Sequence, residues 1–223
     1  MGSKNKLKRF KENESFKNVI QPTREEVVTG FSHQGKWHSF FGNNNPIVLE
    51  LGCGKGEYTI ALAQKNPNKN YIGIDIKGAR FWRGAKTAIE ENLPNVAFVR
   101  TQIELVDFIF AENEVSEIWI TFPDPQIKFQ RTKHRMTNSS FMKKYHHILN
   151  EEGIMNLKTD SEFMHGYTLG LLHGAGHEVL YANHTVYKNE GAPKEVIETQ
   201  TFYEKQYLEV DKPITYIKFR LKY

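Results

Sequence analysis

The stretch P-I-V-L-E-L-G-C-G-K-G at residues 46–56 decides how the rest of the chain reads. Residues 47–51 are a short apolar run bounded by Pro46 and a glycine cluster, the pattern of a strand buried on both faces that runs through a turn into a helix. Gly52, Gly54 and Gly56 let the backbone turn tightly and lie against a ligand with no side chain between. Glu50 falls at the strand end, where an open α/β sheet places its ligand crevice. A dinucleotide fingerprint would need glycine or alanine at position 57, but Glu57 sets a carboxylate where a pyrophosphate should meet a helix N-terminus. The glycines alone fit equally well a βα turn that holds no ligand, so the remaining chain has to decide.

With 223 residues, 39% of them hydrophobic and 25% charged, the chain is long enough for one sizeable α/β domain, and two would be cramped. The single cysteine, Cys53, excludes an internal disulfide framework, and its neighbours spell no zinc cluster, so a reduced, cytoplasmic setting is expected. No run approaches the roughly 18 to 20 apolar residues of a membrane helix, and the basic start lacks the apolar stretch of a secretory signal. A soluble protein without a membrane partner is expected. Net charge is only +4, so its distribution matters more than its total. Lys4, Lys6, Lys8, Arg9 and Lys11 come with no acid among them, and between Asp124 and Glu151 every charged side chain is basic. The two blocks suggest a polyanionic partner, although the first fits a solvated tail equally well.

Residues 1–22 are polar, lysine-rich and without clear periodicity, and are expected to form a mobile tail ahead of one domain at 23–223. Residues 24–41 mix helix formers with Trp37, Phe40 and Phe41, which should pack on the domain edge. After the glycine turn, Tyr58, Ala61, Leu62 and Lys65 carry helical spacing that ends at Asn66-Pro67. A second strand over 71–76 ends in Asp75, which either accepts from ribose hydroxyls or opens the next helix; beside the glycine turn, ribose is favoured. A helix over 78–92 and a strand over 96–99 follow. Gln102 then fits an adenine contact or a helix cap. Residues 115–122 form the fourth strand and run into F-P-D-P, where two prolines stiffen the turn that carries Asp124. The next residues, Q-I-K-F-Q-R-T-K-H-R, interleave Lys128, Arg131, Lys133, His134 and Arg135 with Phe129, a composition suited to RNA. A helix over 137–149 leads to a strand over 153–159 ending in L-K-T-D. There T-D-S-E reads as a capping box, with Asp160 at the positive end of the following helix. Strands over 177–187 and 213–223 complete seven, joined by a charged excursion in which T-F-Y-E at 201–204 reads as a second capping box. The histidines have no metal-ligand spacing, so no metal is expected, and neither a P-loop nor a G-x-S-x-G elbow is present.

E-L-G-C-G-K-G resembles motif I of the class I S-adenosylmethionine-dependent methyltransferases, whose cofactor lacks phosphate and carries ammonium and sulfonium charges. That motif, Asp75, F-P-D-P with its lysine and basic run, L-K-T-D and T-x-Y-E follow one order from about residue 35 to the C-terminus. Together they resemble the bacterial tRNA (guanine-N7-)-methyltransferase family, the TrmB family. The resemblance implies a Rossmann-like α/β fold, a mostly parallel seven-stranded sheet with helices on both faces, and transfer of methyl from S-adenosylmethionine to N7 of a guanine in the variable loop of tRNA. It assigns Glu50, Gly52, Gly54, Asp75, Gln102 and Asp124 to the cofactor, with Asp124 also at the reaction centre. Lys128, Asp160, Thr201 and Glu204 match substrate-binding positions, and Gln130, Arg131, Thr132, Lys133, His134 and Arg135 match the RNA-contacting segment. The family usually carries asparagine where Gln102 stands, and tryptophan then proline or histidine where Gln126 and Ile127 stand. Monomer and homodimer both remain open.

Guanine N7 presents a lone pair and needs no general base, so the protein's work is alignment, exclusion of water and management of positive charge. Asp160, Glu204 or both are expected to accept from N1-H and N2-H2 on the opposite edge, Lys128 to hold phosphate, and the target base to be unstacked or flipped. The rivals are a class I methyltransferase acting on an exocyclic amine or a metabolite, and an RNA-binding scaffold without turnover. The basic segment disfavours the metabolite and the intact set of carboxylates disfavours the scaffold.

Overall fold

The structure is a computed structural model and describes residues 2–223, with side chains from residue 5 onward. Its strands are β1 (Val19–Ile20), β2 (Ile47–Leu51), β3 (Asn70–Ile74), β4 (Val96–Val99), β5 (Val115–Thr121), β6 (Leu149–Thr159), β7 (Glu178–Asn183) and β8 (Thr215–Arg220). They form one 8-stranded sheet in the order β1-β4-β3-β2-β5-β6-β8-β7. Strands β1 to β6 pair in parallel, while β8 runs antiparallel between β6 and β7. The chain moves outward from β2 through β3 to β4, then returns to the other side of β2 as β5. The order therefore reverses between β2 and β5, the switch point where a doubly wound sheet opens a crevice at its carboxyl edge.

Successive side chains of each central strand enter opposite layers, so the alternation along Val48, Leu49 and Glu50 builds two cores. One holds Trp37, Leu49, Phe110, Ile118, Phe141 and Met164, and the other holds Val48, Tyr58, Phe81, Phe98, Trp119 and Tyr216. The helices that cover the sheet are α1 (Gly2–Ser15), α2 (Arg24–Gly30), α3 (Trp37–Phe41), α4 (Glu57–Lys65), α5 (Gly78–Glu90), α6 (Val106–Ile109), α7 (Ser139–Ile148), α8 (Glu162–Gly174), α9 (Lys194–Glu198) and α10 (Phe202–Glu209). Trp37 of α3 is buried, stacks on Phe110 and donates from Nε1 to the Ile109 carbonyl at 3.1 Å, which fastens the α3 edge. No helix of the described residues is long and apolar enough to cross a membrane.

Two features depart from the sequence reading. The segment expected as a tail instead folds into α1 on α5 and then into β1, the eighth strand of a sheet expected to have seven. Its docking is in part polar, which hydrophobic periodicity does not register: buried Asn13 donates to the Gly78 carbonyl, Trp82 donates to Glu12, and the Arg9 guanidinium lies over the Trp82 ring at 4.8 Å, while Phe16 and Val19 pack on the second core. The second departure is the cap of α8, which is Ser161 accepting from the Met164 amide, while Thr159 Oγ1, two residues earlier, accepts from the Ser161 amide.

Gly56 enters α4 at φ 75° with Phe98 and Gly84 packed against it, and a Cβ there would lie 2.6 Å from the Phe98 ring and 3.3 Å from Gly84 Cα. Gly56→Ala is therefore expected to lower stability by about 2–4 kcal/mol, from overpacking and a left-handed backbone together. A urea midpoint equal to that of the parent would contradict this packing account.

Candidate active site

Four acidic side chains stand at the carboxyl ends of β2, β3, β5 and β6. Glu50, last but one in β2, is buried. Its Oε1 accepts from Thr121 Oγ1 at 2.6 Å and its Oε2 from the Thr59 amide at 2.8 Å, and the Thr59 hydroxyl also donates to Oε2. Burial pushes the carboxyl up to about 7, against these hydrogen bonds, which favour the ionised form. The side chain thus ties the first turn of α4 to the end of β5 across the switch point.

The glycine loop hangs from β3: the Gly52 and Cys53 amides donate to the Ile74 carbonyl at 2.8 and 3.0 Å. Gly52 and Gly54 both adopt positive φ, and a Cβ on Gly54 would meet nothing nearer than the Gly52 carbonyl at 4.0 Å. On Gly52 it would face Met136 at 3.8 Å and Ile103 at 4.0 Å, which mark an apolar wall opposite the loop. These two glycines border open space, whereas Gly56 serves packing. Asp75 lies just past β3 and accepts from the Gly54 amide through Oδ2 and the Lys77 amide through Oδ1, at 3.0 and 2.7 Å. It is at once the brace of the glycine loop and an acceptor with lone pairs left for a diol. Gln102 follows β4, with its Oε1 held by Arg24 Nη1 at 2.8 Å, so its amide group is oriented from α2.

Asp124 is exposed on the turn after β5 and accepts from the Gln126 amide at 3.1 Å. The backbone on either side is left-handed, Phe122 at φ 49° and Gln126 at φ 47°. Both values are rare for residues with a Cβ and here flank a carboxylate between two prolines. The Phe122 amide donates to the Lys158 carbonyl at 2.8 Å, which anchors the turn to β6. The basic run beyond it forms a 3-10 turn, Phe129–His134. Lys128, Gln130, Arg131, Lys133 and His134 are exposed around Phe129, which is 88% exposed, and Thr132 donates to the Phe129 carbonyl within the turn.

Arg135 departs from the expected RNA-contacting role. It is buried, donates to the Gln126 and Ile127 carbonyls at 3.1 Å each, and lies over the Phe163 and Tyr167 rings of α8. Its charge is spent inside the protein, fixing the loop between Asp124 and Lys128.

Asp160 follows β6, is partly exposed and pairs with Lys212, whose side chain is exposed. Thr201 caps α10 by accepting from the Glu204 amide at 3.2 Å. Glu204 itself is fully buried: Oε1 accepts from Lys158 and Tyr187 at 2.6 Å each, and Oε2 from the Thr201 amide. No face of this carboxylate is left for a guanine edge, so of the two acids expected there only Asp160 is accessible. A cavity of about 400 Å³ lies over Glu50 and the glycine loop and is walled by Thr121, Phe122, Thr201 and Tyr203.

The sequence reading missed the supports of this rim. Thr59 and Thr121 hold Glu50, and Lys158 binds Glu204. Glu57, read only as an obstacle to a dinucleotide, accepts from the Phe202 amide at the start of α10 at 3.0 Å. Lys158 alone had a visible signal, a lysine last but one in a strand read as part of the sheet.

The donor set fits a cationic nucleoside cofactor: a buried acid, a second acid suited to a diol, and two glycines that leave space between them. Comparisons with known proteins agree. Residues 44–217 match the family described as "Putative methyltransferase". The chain is 72% identical over 224 residues to a tRNA (guanine-N(7)-)-methyltransferase of Christiangramia forsetii, covering 100% of both, and 47% identical to one of Porphyromonas gingivalis, covering 93% of this chain and 86% of that protein. The solved structure of an antibiotic-related methyltransferase superposes with a TM-score of 0.62 at 17% identity, over 92% of this chain and 96% of that one, a likeness of fold. On the ordered motifs, the sheet and these relatives, the chain belongs to the tRNA (guanine-N7-)-methyltransferase family.

Proposed function

We propose that this protein transfers a methyl group from S-adenosylmethionine to N7 of a guanine in cytoplasmic tRNA, in the variable loop. The observation that carries the reading is the placement of an acidic rim, Glu50, Asp75, Asp124 and Asp160, directly beside an exposed cationic turn on one edge of the sheet. An electrophilic methyl on a cationic sulfur is what the cofactor supplies when bound. Glu50 and Asp75 would hold it, with Gly52 and Gly54 letting the backbone lie close and Gln102 presenting its amide to the adenine.

The protein's own part is alignment and charge. Guanine N7 needs no proton removed, so none of these residues has to act as a base. Asp124, held by the Gln126 amide between two strained residues, sets a carboxylate where positive charge moves onto the purine. Asp160 accepts from N1-H and N2-H2 once Lys212 leaves it, which selects guanine over adenine. Lys128, Arg131, Lys133 and His134 track phosphates, and Phe129 offers a stacking face.

The direct test is incubation with unmodified tRNA and labelled S-adenosylmethionine followed by nucleoside analysis, with 7-methylguanosine the expected product. Label on another atom, or none, overturns the reading. Asp124→Ala should cut turnover by about 10²–10³-fold with tRNA affinity kept. Arg131→Ala with Lys133→Ala should weaken tRNA binding and reduce the slope of log affinity against log salt by about 0.7–0.9 per charge removed, with cofactor affinity unchanged. Arg135→Ala should behave differently, lowering turnover with that slope unaltered.

A pH dependence follows from Glu50. A cation bound beside it favours the ionised carboxylate, so cofactor affinity is full above about pH 7 and falls as pH drops below it. About a tenfold loss is expected between pH 8 and pH 6 by calorimetry, and Glu50→Gln should bind weakly with no such slope. A slope retained in Glu50→Gln would assign the titration elsewhere.

A further inference from the structure

Lys158 occupies a position of β6 where a strand covered on both sides would carry an apolar side chain, and it is 0% exposed. An ammonium has three hydrogens to place, and each finds an acceptor. Nζ lies 2.6 Å from Glu204 Oε1 and donates to the Val196 carbonyl at 2.5 Å and the Thr199 carbonyl at 3.0 Å. The rings of Tyr58, Tyr187 and Phe122 surround it at 5.3, 5.8 and 6.0 Å. Glu204 in turn takes Tyr187 OH and the Thr201 amide. Residues 196–204 are thereby drawn onto the sheet through one buried cation. The Lys158 carbonyl meanwhile receives the Phe122 amide at 2.8 Å, so the same residue also fixes the turn that leads to Asp124.

Burying two charges is costly, and an apolar pair of similar volume is often as stable. What the ion pair supplies that apolar packing does not is direction: it sets the height and angle of a backbone segment through specific acceptors. That segment delivers Thr201 and Tyr203 to the lining of the cavity over Glu50, to which Thr121 and Phe122 also belong.

We propose that Lys158 is a positioning residue that couples two parts of the lining of the cavity over Glu50, and that Glu204 acts as its partner in holding residues 196–204 rather than by touching the base. This rests on the functional reading above and assigns to T-x-Y-E a role different from base contact. The two side chains then form one unit. Removing either releases the same segment, and removing both does little more harm than removing one.

The test uses the full chain carrying Lys158→Met, Glu204→Met and the double variant Lys158→Met/Glu204→Met, which leaves no buried charge unpaired and so guards against misfolding. Three readouts apply: hydrogen exchange of residues 196–204 without substrate, Kd for tRNA and for S-adenosylmethionine, and kcat with KM. Exchange in that segment should speed up at least tenfold in all three variants with the rest of the chain unchanged. kcat should fall about 10–100-fold by a similar factor in each, KM and both Kd values staying within about threefold. The wild-type kcat should also decline as pH rises through about 8, because burial lowers the Lys158 ammonium to about 8 and its neutral form loses the hold, and this decline should vanish in the double variant. Unchanged exchange, a double variant with parental kcat, or losses that multiply from the single variants to the double would each overturn the proposal. A wild-type protein that moves no methyl to tRNA would sink the functional reading instead, and the exchange result separates the two because it involves no substrate.

Discussion

The carboxylate of Glu50, shared between the amide of Thr59 and the hydroxyls of Thr59 and Thr121, is the contact on which the catalytic edge depends. It sits where the strand order reverses, and it joins the strand before the reversal, the helix that follows it and the strand after it. A neutral side chain of the same shape would satisfy some of these donors but would bring no negative charge to the crevice. Burial works against ionisation here and the three donors work for it, which leaves the group near neutrality and responsive to any cation that arrives. One residue is therefore both a structural pin and a carboxylate able to gain charge in the crevice.

Around it the edge divides its charges by layer. The acids Asp75, Asp124 and Asp160 follow their strands at the rim, each held by a backbone amide or a lysine, while exposed cations stand on residues 128–134. Arg135 belongs to the inner layer in spite of its place in the basic run, because its guanidinium satisfies two carbonyls of a loop whose backbone is otherwise strained. This division keeps the exposed cations apart from the acids at the strand ends. Neighbouring basic residues therefore have unlike surroundings, Lys133 and His134 exposed and Arg135 buried.

The supports beneath the rim are polar and come from far along the chain. Glu57 caps α10, Asn13 and Glu12 seat α1, and Lys158 with Glu204 seats residues 196–204. Each joins segments that are more than sixty residues apart or on different layers, or both, so each fixes a relative position rather than a local conformation. In a site whose work is alignment, such cross-links matter more than their net stability.

By itself the sequence determined the α/β class, the seven principal strands, the glycine turn and the order of acids along the rim. These are local features: apolar runs, glycine and proline punctuation and strand-end acids all act within a few residues. The capping box at Thr201 was legible for the same reason, since its two partners lie three residues apart. Tertiary structure alone decided that α1 docks and β1 adds an eighth strand, that Arg135 turns inward, and that Glu204 is closed to a base. In each case the deciding partner, α5 and β4, the Gln126 carbonyl with the α8 rings, or Lys158 and Tyr187, reaches the residue only through folding. A charged side chain reads alike on the page whether it faces water or a buried carbonyl, and only packing tells the two apart.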